Sequence, residues 1–194
     1  GGIFTVIDPQ VVRNNAAAID LSSNQLTSWD PNLNGAVNAI AVDNGQVYLG
    51  GGFTSVNGAT PRNRLAVVDA TSAAVGPWDP NVNGTVNTLA TTPASVLAGG
   101  TFTQVNGGTP RNRLAALDRT TATATGWNPN ANATVRAIRV AGATAYLAGD
   151  FTQPRFGLPE ATYARLCAEV DAIVHNGAVV NHLLDYRDLY APNV

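Results

Sequence analysis

Residues 50–98 read GGGFTSVNGATPRNRLAVVDATSAAVGPWDPNVNGTVNTLATTPASVLA, and residues 99–147 read GGTFTQVNGGTPRNRLAALDRTTATATGWNPNANATVRAIRVAGATAYL. Aligned without a gap, 24 of the 49 positions are identical. The step extends outward: Phe4, Phe53, Phe102 and Phe151 are 49 residues apart, as are Trp29, Trp78 and Trp127, and Asp20, Asp69 and Asp118. Residues 1–49 form a more diverged copy that keeps Arg13, Asn14, Pro31, Asn34 and Val37. A fourth copy starts at Ala148 and stops after Gln153. A fixed period of this length marks a repeat architecture, in which each unit buries its apolar face against its neighbours.

Within a copy the pattern is β. Short β-branched and apolar runs alternate with turn chemistry, and Gly and Pro recur too often for helices. The second copy predicts strands over Val47–Thr54, Arg64–Ala70, Ala74–Trp78 and Val86–Thr91. Four short strands in 45–50 residues is the spacing of a propeller blade. The expected fold is mainly β: about three four-stranded, propeller-like blades, followed by a short helix-strand-helix segment. The domains are 1–153 (copies 1–49, 50–98, 99–147 and the start of a fourth) and 154–194.

The fixed residues read first as packing. Trp29, Trp78 and Trp127 are expected between successive blades. Gly50-Gly51 and Gly99-Gly100 allow close backbone approach or a bulge. Asn57-Gly58 and Asn106-Gly107 are hairpin turns with positive φ. Arg62 and Arg111 are expected to bond carbonyls of a neighbouring blade, or Asp69 and Asp118.

Asp30-Pro-Asn32-Leu-Asn34-Gly35 and Asp79-Pro-Asn81-Val-Asn83-Gly84 fit the first half of a calcium loop, where alternate oxygen side chains converge on a hard cation. The bidentate Glu of such a loop is replaced by Ala41 and Ala90, and the third copy has Asn128 and Ala133 in place of the Asp and Gly. Asp30, Asn32, Asn34, Asp79, Asn81 and Asn83 are therefore weak calcium candidates, and no other metal site is expected. Asn83-Gly-Thr85 and Asn132-Ala-Thr134 fit a glycosylation sequon.

Composition narrows the function. Apolar residues make up 45% of the chain, ample for a core, and the net charge of -2 gives no footprint for nucleic acid. No apolar run is long enough to insert in a membrane as a helix. All 11 basic residues are arginine, so no Schiff-base or phosphate-binding lysine exists in these residues. The one cysteine, Cys167, excludes an intrachain disulfide. The absence of methionine and the opening inside a repeat lead us to expect a trimmed chain or a fragment. Residues 1–153 carry eight Asp, no Glu and eight Arg, whereas 154–194 carry both Glu, both His and the Cys. That shift is a boundary signal independent of the period.

The motifs GGxFTxVNG, RNRLAxxD and W(D/N)PNxN at a step of 49 make residues 1–153 resemble the delta-sixty repeat family, β-propeller-like proteins of bacterial surfaces or secretions. The resemblance implies a blade fold, an extracellular or cell-surface setting, and a structural or adhesive role with no catalytic residue.

From Leu158 the grammar changes. Pro159 and Glu160–Glu169 read as a helix, Asp171–His175 as a buried strand, Asn176-Gly177-Ala178 as a turn and Val179–Leu189 as a second helix. The string EVDAIVHNGAVVN, residues 169–181, resembles the thioester reductase domains of the extended short-chain dehydrogenases. The resemblance implies a Rossmann-like segment in which His175, Asn176, Gly177 and Ala178 flank NADP. A glycine fingerprint upstream and a Tyr-x-x-x-Lys pair, which that family uses, are not found in these 194 residues.

The expected function is a non-catalytic structural or interaction module from a surface or secreted repeat protein, fused to a non-functional reductase fragment, with no cofactor. The junction at 153/154 is expected to be a fusion remnant or a gene-prediction artefact. Its partner is an unknown protein or surface polymer, and open blade edges predict self-association. The alternative is a fragment of a cytoplasmic, NADP-dependent thioester reductase acting on carrier-bound acyl or peptidyl thioesters.

Overall fold

The computed structural model describes residues 2–8 and 11–149. Strands β1 (Val6–Asp8) and β2 (Val11–Val12) form a hairpin. Strand β3 (Val37–Asp43) pairs with β4 (Gln46–Gly51). The chain then makes a small hairpin of β5 (Ser55–Val56) and β6 (Thr60–Pro61) and returns as β7 (Leu65–Asp69) on the far edge of β4. The unit recurs 49 residues on, as β8 (Val86–Thr91), β9 (Ser95–Gly100), β10 (Gln104–Val105), β11 (Thr109–Pro110) and β12 (Leu114–Asp118). Strands β13 (Ala137–Ala141) and β14 (Thr144–Ala148) repeat its first two strands.

The described residues are thus mainly β, without helix, and arranged as several small antiparallel sheets. Two details differ from expectation. The strand from Val47 ends at Gly51 rather than Thr54, because the chain there turns into the β5–β6 hairpin. The predicted strand Ala74–Trp78 is reduced to a single bridge, Val68 to Val75, repeated as Ile19 to Leu26 and Leu117 to Ala124. In each copy the residue after the bridge gives its carbonyl to an arginine of the small hairpin, Thr27 to Arg13, Gly76 to Arg62 and Thr125 to Arg111, and the pairing goes no further. The expected four-stranded unit is therefore a three-stranded sheet plus one bridge. The helix-strand-helix reading of 154–194 lies outside the described residues.

The core forms in layers between successive sheets. Along β4, Leu49 turns one way with Ala16, Trp29, Leu33 and Phe53, while Tyr48 turns the other way with Trp78, Val86, Leu89 and Phe102. That is the period-two alternation of a strand buried on both faces. A third layer joins Leu97, Leu114 and Ala116 to Val135 and Ile138. A Cβ on Gly50 would lie 2.6 Å from Val86 Cγ1, and one on Gly99 2.6 Å from Val135 Cγ1. Those two glycines set how closely one sheet lies on the next. Their neighbours Gly51 and Gly100 sit opposite register shifts at Val37/Ala39 and Val86/Thr88, as the bulge reading expected.

Polar links tie the layers together. Asn38 Nδ2 donates to Val86 O at 3.3 Å, and Asn87 Nδ2 to Val135 O at 3.5 Å. The Arg119 guanidinium reaches Asp43 on the preceding sheet and lies 5.7 Å over the Tyr48 ring.

Candidate functional site

The polar residues that repeat along the chain gather in two kinds of loop. The first follows each third strand. Asp20 Oδ1 accepts from the backbone N–H and hydroxyl of both Ser22 and Ser23. Asp69 does the same with Thr71 N and Ser72, and Asp118 with Thr120 N and Thr121. Hydrogen bonds to the ionised form favour it. The Ser22 hydroxyl, then the Ser23 amide, hold the Asp20 carboxyl at about 2. The Ser72 and Thr71 donors lower Asp69, and the Thr121 and Thr120 donors lower Asp118, below the ordinary carboxylate value.

The second kind of loop is the Asp-Pro-Asn-x-Asn segment. Asp30 Oδ1 accepts from Asn32 N at 3.0 Å, and Asp79 Oδ1 from Asn81 N at 3.1 Å. Asn32 Oδ1 accepts from Asn14 Nδ2 at 2.7 Å, and Asn81 Oδ1 from Asn63 Nδ2 at 2.8 Å. Asn34 Oδ1 takes the N–H groups of Thr54 and Ser55, and Asn83 Oδ1 those of Thr103 and Gln104. Each weak calcium candidate thus already has a hydrogen-bonding use within the chain, fastening this loop to the small hairpin. Among the described residues no three or more His, Cys, Asp or Glu side chains gather as a metal cluster. The sequon residue Asn83 also donates its Nδ2 to Thr103 Oγ1 at 2.9 Å.

Arg62 and Arg111 bind carbonyls, but not those expected. Arg62 donates to Pro61 O at 2.7 Å and Gly76 O at 2.6 Å, and its carboxylate neighbour is Asp79 at 3.7 Å, not Asp69. Arg111 donates to Pro110 O and Thr125 O. The Nε atoms of Arg13, Arg62 and Arg111 are buried without a partner at each step. These arginines clamp the chain leaving the third strand onto the small hairpin, a contact fourteen residues away that the sequence alone did not reveal.

One cleft stands out, about 560 Å³ between β9 and β12 on one side and the β13–β14 turn on the other. Its walls include Leu97, Ala116, Thr125, Trp127, Val140 and Thr144. One repeat earlier, Tyr48 and Val67 occupy the positions of Leu97 and Ala116, and the Tyr48 ring meets Trp78 edge-on at 5.5 Å. Trp127 on the wall of this cleft is 38% exposed, against 6% for Trp78.

His175, Asn176, Gly177 and Ala178 lie outside the described residues. For that part of the chain, comparison with known proteins is informative. The NAD_binding_4 family model, described as "Male sterility protein", matches residues 109–194. A carboxylic acid reductase of Segniliparus rugosus is 57% identical over 35 residues, which is 18% of this chain and 3% of the relative. The chain thus spans a small fraction of the length of that curated relative. The C-terminal part of the chain is similar to an NAD-binding, reductase-like domain, as the resemblance of residues 169–181 implied. The likeness of residues 1–153 to delta-sixty repeats finds no support in these comparisons. The matched range opens at Thr109, well before the 49-residue period stops after Gln153. Its described portion holds β11 to β14, all in antiparallel pairs that continue the 49-residue unit.

Proposed function

We propose that the chain carries a segment of the NAD(P)-binding domain of a reductase acting on carrier-bound acyl thioesters or carboxylic acids. The observation that carries this reading is the family match to residues 109–194, joined by the carboxylic acid reductase likeness. In it His175, Asn176, Gly177 and Ala178 form a strand end and turn against the nicotinamide cofactor, the place where open α/β sheets bind ligands. Titrating the full chain with NADPH while recording nicotinamide fluorescence tests it. Saturable binding near or tighter than about 100 µM, about -5.5 kcal/mol, lost in His175→Ala, supports the reading. A flat titration into the millimolar range sinks it.

The repeat half supports a second reading, a non-catalytic interaction module. The observation in its favour is that the recurring polar residues are spent on loop construction: Asp20, Asp69 and Asp118 on turns, and Asn34 and Asn83 on the small hairpins. Such a module offers faces to an unidentified protein or polymer, in a propeller-like stack of three-stranded blades. Substituting Asp69 or Asn83 is then expected to lower stability while leaving cofactor binding unchanged. An equal loss of NADPH affinity in a folded Asp69→Asn chain contradicts that division of labour.

A further inference from the structure

Asn-Gly pairs punctuate the chain at Asn34, Asn44, Asn57, Asn83, Asn106 and Asn176, and the first five lie among the described residues. The pair carries a chemistry of its own. Glycine has no Cβ to shield its nitrogen and lets the backbone turn freely. Its nitrogen can therefore reach the Cγ of the asparagine before it. That attack needs a side-chain amide free to rotate, a glycine N–H not already shared, and a backbone with room to swing.

Four of the five pairs are pinned. Asn34 Oδ1 accepts from Thr54 N and Ser55 N, and its Nδ2 donates to Thr54 Oγ1. Asn83 is held in the same way by Thr103 and Gln104. Asn106 Nδ2 donates to Ala122 O at 2.9 Å, and its Oδ1 accepts from Ala124 N at 2.8 Å. Asn57 Nδ2 donates to Ala73 O, and the Gly58 N–H is spent on Asn32 O at 3.1 Å. Three of the glycines are hemmed in as well. A Cβ on Gly35 would lie 2.9 Å from Phe53 Cα, one on Gly84 2.7 Å from Phe102 Cα, and one on Gly58 3.3 Å from Asn32 Nδ2.

Asn44-Gly45 differs on each count. It is the exposed two-residue tip of the β3–β4 hairpin, between the paired residues Asp43 and Gln46, with φ values of 49° and 72°. Asn-Gly is the dipeptide such a turn favours. A Cβ on Gly45 would meet nothing within 4 Å. Among the described residues neither the Asn44 amide nor the Gly45 N–H has a partner, and the tip is tethered through Gly45 O, which accepts from Ala70 N at 2.9 Å.

We propose that Asn44-Gly45 is a modification site of this protein, converting without an enzyme to aspartate and isoaspartate. Hydroxide takes the Gly45 amide proton, and the nitrogen attacks Asn44 Cγ to form a new N–C bond. The bond from Cγ to Nδ2 breaks, and ammonia leaves with a proton supplied by water. The five-membered imide then adds one water at either carbonyl and opens, to aspartate from one and to isoaspartate from the other. The site stands apart from both functional readings above, since it needs neither a cofactor nor a partner.

Its position gives the change a consequence. Isoaspartate carries the main chain through the side-chain methylene, so the tip no longer sets Asp43 opposite Gln46. Asp43 holds Arg119 of the following sheet, and Gly45 O holds Ala70 N. Modification at an exposed turn therefore loosens the contact between two successive sheets.

The test is peptide mapping by mass spectrometry on the full chain, aged in its native state at mildly alkaline pH, against the same chain aged in urea. In the native chain Asn44 is expected to react at least about tenfold faster than Asn34, Asn57, Asn83 and Asn106. In urea the hydrogen bonds are gone and the five rates should fall within about threefold of one another. Asn176 is read separately and enters neither ratio. An Asn44 that stays intact in the native chain, or any of the other four keeping pace with it there, would overturn the proposal. A preference for Asn44 that persists in urea would assign it to local sequence and overturn the structural account. Native chain enriched in isoaspartate at position 44 should lose amide-exchange protection at Ala70, whereas Asn44→Asp, which adds the charge without lengthening the backbone, should keep it. Equal loss in both would overturn the backbone consequence.

Discussion

The indole Nε1 of Trp78 donates to the carbonyl of Asp118, 40 residues on, at 2.9 Å, and Trp29 makes the same bond to Asp69 at 3.0 Å. Each tryptophan joins the linker entering one sheet to the end of that sheet's third strand. Its ring meanwhile fills the layer against the preceding sheet. Trp78→Phe keeps most of the ring but removes one of the two donors to the Asp118 carbonyl, which Ala122 N still reaches at 3.0 Å, a loss of about 0.5–1.5 kcal/mol. Trp127, 38% exposed and without such a carbonyl among the described residues, should tolerate Phe within about 0.5 kcal/mol. Urea unfolding of the two variants side by side checks the contrast.

Sheet spacing depends on Gly50. Its added methyl would meet Val86 Cγ1, whereas one on Gly52 meets nothing within 4 Å. Gly50→Ala should cost about 1–3 kcal/mol through overpacking, and Gly52→Ala close to nothing. Adding Val86→Ala should recover part of the Gly50→Ala loss, with a coupling of about 1 kcal/mol in the double-mutant cycle.

Arg64 and Arg113 hold φ values of 64° and 59°, and the matching residue of the first copy, Asn15, holds 67°. Asparagine accepts this left-handed conformation more readily than arginine. Arg64→Asn should therefore raise stability, by about 0.5–1 kcal/mol given the 1–2 kcal/mol that ordinary residues pay there. Thermal unfolding reads the gain; a lower melting temperature would count against the local geometry.

Acid should loosen the turns after the third strands. The Asp20, Asp69 and Asp118 carboxyls are lowered in the folded chain by their Ser and Thr donors. A lowered carboxyl adds stability that is complete above its unfolded value and lost as pH falls through its folded value. For Asp20 the loss runs from about 4 down to about 2. Melting temperature should be level above about pH 5 and fall below pH 4. The triple variant Asp20→Asn, Asp69→Asn, Asp118→Asn should flatten that slope.

The strands with the clearest apolar pattern were legible in the sequence. Val86–Thr91 forms the strand read from the sequence, and the Asn57-Gly58 turn has the positive φ its dipeptide demands. What was hidden depends on contacts across the chain. The partner of Arg62 is Gly76, brought near only because the Asp69 turn folds the chain back. The fourth strand shrinks to a bridge because the carbonyl of the next residue, Thr27, Gly76 or Thr125, goes to an arginine rather than to a further pairing. The Asp-Pro-Asn loops look like cation ligands in sequence, yet the Asn32 and Asn34 oxygens face donors 18 to 21 residues away that no local pattern marks.

The reductase reading is tested most directly by following both ends of the chain while NADPH is added. The two histidines, His175 and His182, belong to the reductase-like part, and all three tryptophans to the repeats. The account predicts that the imidazole resonances of His175 shift saturably with NADPH while the indole resonances of Trp29 and Trp78 stay fixed. Histidine resonances unmoved at millimolar NADPH would contradict it.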